Sequence, residues 1–195
     1  NALGLPGPGI EAFVESELPA LREAGATVIV SIWAQSPGDF AKVAQRLRHS
    51  DAVAGVEVNV SHPSEAGLDA AAVVHQVRRN TAAGVPVFAK LGADNAVAQA
   101  RSCVAAGADG LSLINAIPAV PVSLAQVAPA LGSVVGGLSG PAIMPLALRA
   151  VWQVHEALPD VPIIGSGGIM TGADALEFVL AGASAVALGT ALLND

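Results

Sequence analysis

The chain has 195 residues, 53% of them hydrophobic and 13% charged, with a formal net charge of −7. That length and apolar content suit one domain with a sizeable core and exclude a disordered chain. The negative charge argues against nucleic acid or an anionic membrane as partner, but not against a small anionic ligand, which backbone dipoles can hold.

The chain opens on Asn1-Ala2-Leu3-Gly4-Leu5-Pro6-Gly7-Pro8-Gly9, a loop punctuated by Gly and Pro. It is either a connector or a backbone nest for a carboxylate. Ile10–Ala24 reads as a helix with Ile10, Phe13, Val14, Leu18 and Leu21 on one face, bent or shortened by Pro19. A strand over Thr27–Ile32 and a helix over Asp39–His49 follow. The next strand, Val56–Val60, spills into Asn59-Val60-Ser61-His62-Pro63-Ser64. A core strand ending in such a polar cluster is a capped loop or the floor of an active site. His62 carries the side chain best suited to moving a proton near neutral pH.

A helix over Leu68–Thr81 leads to the strand Val85–Lys90. A lysine at that strand end is costly to bury without an anion or electron-rich ligand, unless it snorkels to solvent. The helix Asn95–Ala106 holds the lone cysteine, Cys103, which reads as a small buried hydrophobe. One cysteine excludes an internal disulfide framework and fits a cytoplasmic setting. The strand Gly110–Ile114 ends at Asn115, whose amide suits either recognition of an amide-bearing ligand or a loop cap.

Ala116–Pro141 is an extra stretch rich in Gly, Pro and Val, of the kind that is usually functional. Within it, Gly136-Gly137-Leu138-Ser139-Gly140-Pro141-Ala142-Ile143 offers close backbone approach to a flat ligand at Gly140, or simply a turn into the next helix. That helix, Pro145–Ala157, has an apolar stripe of Leu148, Val151, Trp152 and Leu158. The strand Val161–Gly165 runs into Ser166-Gly167-Gly168-Ile169, and after the helix Asp174–Ala181 the strand Ala185–Leu188 runs into Gly189-Thr190-Ala191. Two such glycine loops one βα unit apart favour a phosphate grip over tight turn packing. His49, His75 and His155 fall on solvated helix faces without metal-ligand spacing. No apolar run is long enough to cross a membrane.

Regular β–α alternation means parallel strands with helical crossovers, in a closed barrel or a doubly wound sheet. No G-x-G-x-x-G follows an early strand, and polar residues gather after the ends of several strands, which is a barrel layout. The expected fold is a (β/α)8 TIM barrel, incomplete, with about six of eight strands present. Residues 1–195 form one barrel domain, and the start at Asn1 and stop at Asp195 suggest truncation at both ends.

Taken together, these segments resemble class 1 dihydroorotate dehydrogenase, an FMN-dependent barrel enzyme of pyrimidine synthesis, over essentially the whole chain. The most specific pieces are Asn1–Leu5, Val58–Pro63, Gly107–Asn115 and Gly136–Ile143. The run Gly137–Ile143 is similar to the 1B subclass, which pairs with an iron–sulfur/FAD subunit and reduces NAD. The resemblance implies that Asn1, Leu3, Gly4 and Leu5 hold the substrate, that Asn59 touches substrate and flavin, and that Asn115 meets the substrate amide edge. It implies that Lys90 sits by the flavin pyrimidine, that Ser31, Ile114 and Gly140 line the FMN, and that Gly167, Gly168, Gly189 and Thr190 bind its phosphate. It also implies a homodimeric core.

Three positions depart from the family pattern. His62 stands where class 1 enzymes carry a cysteine base, Ser64 where they carry a substrate-binding asparagine, and Ala116 where a Ser or Thr usually follows the strand-end Asn. The expected reaction is oxidation of dihydroorotate to orotate, with His62 as base. The alternatives are a related cyclic-amide substrate, a non-catalytic flavin-binding paralogue, or a flavin-free phosphate-binding barrel lyase or isomerase in which Lys90 forms a Schiff base.

Overall fold

The computed structural model describes residues 6–50, 52–61 and 67–193. A first helical segment comprises α1 (Ile10–Ala12), a π-helical turn over Phe13–Glu17, and α2 (Leu18–Glu23). The π turn has a local cause. Pro19 has no N–H to give the carbonyl of Glu15, so the ladder slips by one residue and Leu18 N–H bonds Phe13 O instead. Pro19 therefore shifts the register and leaves the helix continuous. Leu18 is the buried residue of this segment, while Leu21 is exposed.

The alternation then runs β1 (Val28–Ile32), α3 (Pro37–Leu47), β2 (Val53–Asn59), α4 (Ala70–Asn80), β3 (Val87–Leu91), α5 (Ala96–Ala105) and β4 (Gly110–Leu113). Four short strands follow: β5 (Ile117–Ala119), β6 (Val122–Ser123), β7 (Ala128–Pro129) and β8 (Gly136–Leu138). The chain returns through α6 (Met144–Ala157), β9 (Ile163–Ser166), α7 (Gly172–Leu180) and β10 (Ala185–Ala187). The main strands form one parallel sheet in the order β1-β2-β3-β4-β9-β10, so each crossover adds the next neighbour. This is an incomplete (β/α)8 barrel, with β1 and β10 at its two edges.

Each strand presents two different faces. Val30, Ile32, Val56, Val58, Val87, Ala89, Leu91, Leu111, Leu113 and Ile163 point to the helices and are buried. The opposite, inner face carries Ser31, Gly55, Glu57, Asn59, Phe88, Lys90, Gly110, Ser112 and Ser166, as the register requires. Phe88 fills the floor of that face because two neighbours have no side chain. A Cβ on Gly110 would lie 2.8 Å from its ring, and one on Gly55 3.3 Å away.

Helix starts are written into the sequence. Ser36 Oγ caps α3 by accepting from Asp39 N–H, and Asp69 caps α4 by accepting from Ala71 N–H. Thr171 and Asp174 make a reciprocal capping box at α7. Below the barrel, Asp109 Oδ2 accepts from Val87 N–H and from Arg78 Nη1, each at 2.8 Å, and ties the end of α4 to the starts of β3 and β4.

Two expectations about side chains need correction. The stripe that α6 buries is Ala147, Ala150, Val151 and Val154, while Trp152 is exposed. His155 is also not on a solvated face. It packs over Gly182, which has φ 106 and no room for a Cβ beneath the imidazole. His49 and His75 are exposed. The extra stretch between β4 and α6 forms two antiparallel ribbons, β5 with β8 and β6 with β7, carrying exposed Val122, Leu124 and Val127. Among the described residues, no helix is long and apolar enough to cross a membrane.

Candidate functional site

The inner face turns polar toward the C-terminal ends of the strands. Asn59 ends β2 opposite Lys90 on β3, and Lys90 lies opposite Ser112 on β4. Parallel register alone brings these three side chains to one place. Beyond the strand ends, Asn115 Nδ2 donates to Asn59 Oδ1 at 3.1 Å and to Ser61 Oγ at 3.0 Å. Asn115 Oδ1 accepts from Ala116 N–H at 3.0 Å. Both hydrogens of its amide are thus engaged within the chain, which orients the group. Asn59 Oδ1 also receives Ser61 N–H and Oγ, each at 3.4 Å, while its Nδ2 has no partner among the described residues.

Lys90 neither snorkels nor waits for an external anion. Its Nζ lies 3.5 Å from Glu57 Oε2 and donates to Ser112 Oγ at 3.3 Å. Glu57 in turn accepts from Ser31 Oγ at 2.8 Å. The result is a chain of polar groups across four adjacent strands, Ser31–Glu57–Lys90–Ser112, on an otherwise apolar scaffold. Glu57 and Lys90 are mostly covered, at 15% and 19% side-chain exposure.

Beside Lys90 opens a cleft lined by Ile114, Asn115, Ala116, Ser139, Ile143, Ser166, Gly167, Gly168, Gly189 and Thr190. It offers about 200 Å³ of space and is partly open to solvent. Ser166 Oγ donates to Ile114 O at 3.1 Å, and Ile114 N–H returns a bond to Ser166 O at 2.9 Å, so β4 and β9 are locked at the cleft wall. Thr190 Oγ1 donates to Ser139 Oγ at 3.0 Å, joining the last glycine loop to the extra stretch.

The glycines here do different work. Gly167 and Gly168 have φ 131 and 84, a region that L side chains rarely adopt. A Cβ on Gly168 would sit 2.7 Å from Gly140 O and 2.9 Å from Met144 Cβ. Gly140 buttresses Gly168 there through its carbonyl oxygen. Gly189 is the opposite case: nothing lies within 4 Å of where its Cβ would be. Its backbone therefore faces space that a ligand can enter. Among the described residues, the backbone bonds outside helices and strands include none donated by Gly167, Gly168 or Gly189. That combination of free N–H groups and an open approach fits a phosphate.

The fold thus gathers Lys90, Asn59, Asn115, Ala116, Ile114, Gly167, Gly168, Gly189 and Thr190 around one mouth. Ser31 is two strands away from Lys90 and is linked to it through Glu57. Asn1, Leu3, Gly4, Leu5, His62 and Ser64 lie outside the described residues. Sequence reasoning missed Glu57 and Ser112, and gave no role to Ser61, Ser139 and Ser166 within the segments it marked. The alternation in Val56-Glu57-Val58-Asn59 held the signal for Glu57, since residues two apart share a face.

The helix α5 buries Cys103 completely, and burial, helped by nearby Asp69, pushes its thiol up to about 11. It has no part in the site.

Comparison with known proteins agrees with this geometry. A family model described as dihydroorotate dehydrogenase matches residues 1–195. The chain is 48% identical over 204 residues to a protein of Desulforudis audaxviator named dihydroorotate dehydrogenase B (NAD(+)), catalytic subunit, covering 99% of this chain and 66% of that one. It is 45% identical to the protein of that name from Citrifermentans bemidjiense, covering 100% and 67%. The chain therefore spans about two thirds of the length of these curated relatives. A crystal structure of the dihydroorotate dehydrogenase of Eimeria tenella in complex with ferulenol superposes with a TM-score of 0.79 at 20% identity, covering 99% of this chain and 62% of that one, a likeness of fold. On the family match and the curated relatives, this chain belongs to the dihydroorotate dehydrogenase family.

Proposed function

We propose that this chain is the catalytic part of an FMN-dependent oxidoreductase that converts dihydroorotate to orotate in pyrimidine synthesis. The observation that carries the reading is the meeting of Lys90, Asn59 and Asn115 with the glycine loops at a single barrel mouth. The N–H groups of Gly167, Gly168, Gly189 and Thr190 would hold the FMN phosphate, and Ile114, Gly140 and Ser31 would flank or support the flavin end. Bound FMN supplies the hydride acceptor.

The chain's own groups would do the rest. Asn59 and Asn115 present amides to the flat substrate. For Asn115 this requires a ligand either to use the second lone pair of Oδ1 or to replace Asn59 and Ser61 as acceptors. Lys90 puts positive charge beside the ring that gains electrons. Asn1, Leu3, Gly4, Leu5, Ser64 and Ala116 complete the substrate pocket. His62 removes the ring-carbon proton, a task a neutral imidazole can perform. The relatives' name, catalytic subunit with NAD(+), supports a partner subunit; by the resemblance to the 1B subclass that partner would be an iron–sulfur/FAD subunit passing electrons to NAD.

A second reading, a related dihydropyrimidine as substrate, is favoured by His62 and Ser64, which differ together from the family pattern in size and chemistry. One experiment separates them. Protein carrying this chain should purify with bound FMN, and anaerobic dihydroorotate should bleach it. Absence of flavin refutes the first reading at its base. Flavin that bleaches only with another dihydropyrimidine moves the assignment to the second.

A further inference from the structure

The pair Glu57–Lys90 has no structural necessity. Val56 and Val58, the neighbours of Glu57, already supply the buried helix-facing side of β2. Glu57 and Lys90 both lie on the inner face, Glu57 level with Phe88 and Lys90 two residues beyond Phe88 on β3. Covering two charges there costs desolvation that an apolar pair would avoid, so their stabilising value is small. Their arrangement is nevertheless well determined. Ser31 on β1 holds one carboxylate oxygen at 2.8 Å, the other oxygen faces Lys90 Nζ at 3.5 Å, and Ser112 takes the ammonium from the far side at 3.3 Å. Lys90 is thus fixed between two strands and partly neutralised at the edge of the cleft it lines.

We propose that Glu57 is a positioning residue: anchored by Ser31, it holds the Lys90 ammonium in place and sets how much positive charge reaches a flavin ring bound in the cleft. This rests on the reading that the cleft takes FMN. The sign follows from electrostatics. A carboxylate beside the ammonium reduces the net positive field at the ring, and a more positive field favours the electron-richer form of the flavin. Glu57→Gln keeps the shape and removes the charge, so the flavin becomes easier to reduce.

The test is a potentiometric titration of bound FMN in wild type and variants, with thermal melts alongside. At fixed potential, Glu57→Gln should raise the reduced-to-oxidised ratio about tenfold, which is roughly 30 mV for a two-electron couple. Ser31→Ala, which only frees the carboxylate, should shift it the same way by less, and it keeps the test open if Glu57→Gln does not fold. In a Lys90→Met background the Glu57→Gln shift should shrink, because the part that works through the held ammonium is lost and only the direct field of the carboxylate remains. An unmoved potential with flavin bound overturns the role of Glu57 and leaves the FMN reading standing. A shift of the same size without Lys90 means that Glu57 acts on the flavin by its own field alone and overturns positioning. Wild-type protein that binds no FMN overturns both. A purely structural Glu57 would lower the melting temperature and leave the potential where it was.

Discussion

Gly168→Ala and Gly189→Ala, two substitutions of the same size in the same cleft, should have opposite consequences. At Gly168 the backbone has φ 84, where an alanine costs about 1–2 kcal/mol. The new methyl would also meet Gly140 O at 2.7 Å, Met144 Cβ at 2.9 Å and Met144 N at 3.1 Å. Two of those atoms are backbone, so no rotamer change relieves the clash, and overpacking adds about 1–3 kcal/mol. The sum, about 2–5 kcal/mol, corresponds to a fall in melting temperature of about 4–20 °C for a chain of this size.

Gly189 has an ordinary φ and no neighbour within 4 Å of the added methyl. Gly189→Ala should leave the flavin-free melt within about 0.5 kcal/mol of wild type. It should instead weaken FMN, because the methyl occupies the ligand's path. A loss of about 1–3 kcal/mol, or roughly 5- to 150-fold in Kd, is expected. The assay is a thermal melt of flavin-free protein paired with FMN titration by fluorescence quenching. A Gly168→Ala protein as stable as wild type would refute the packing argument. Unchanged FMN affinity in Gly189→Ala would refute the placement of the phosphate.

Two further outcomes are expected. Cys103, buried with its thiol pushed up to about 11, should not react with a disulfide reagent at pH 8 in folded protein and should react fully in denaturant. At α7, backbone N–H groups of Met170 and then Thr171 hold the Asp174 carboxyl below 3.8. Its folded-state pKa lies below the unfolded value, so the unfolded state binds more protons in that window. The capping contribution is complete above the unfolded value and is lost as pH falls through the folded one. Asp174→Asn should flatten the acid limb of a stability–pH profile, and an unchanged limb would refute the assignment.

Most of the fold is legible in the sequence because the helix-facing sides of the strands are so uniformly apolar. Val56-Glu57-Val58-Asn59 and Val87-Phe88-Ala89-Lys90 can be read as strands without knowing their neighbours. Helix starts at Ser36, Asp69 and Thr171 are local chemistry and equally readable. The buried side of α6 is less so. That helix is apolar over a wide arc, so periodicity alone cannot choose between Trp152 and Val154; only the sheet beneath it does. The π turn at Phe13–Glu17 was half legible, since Pro19 announces a disturbance without saying whether the helix breaks or slips.

The glycine loops, Asn59, Lys90 and Asn115 could be picked out from the sequence because each follows a strand, and strand ends on one side of a barrel converge. What each of them touches was decided only by the tertiary structure. Register pairs Ser31 with Glu57 and Asn59 with Lys90, and a slip of one residue would have sent all four to the helices. Hence the sequence determines which residues can meet at the mouth, through alternation and strand-end position. The lateral stacking of strands, a non-local property, decides that Lys90 meets Glu57, that Asn115 meets Asn59, and that Gly189 rather than Gly168 faces open space.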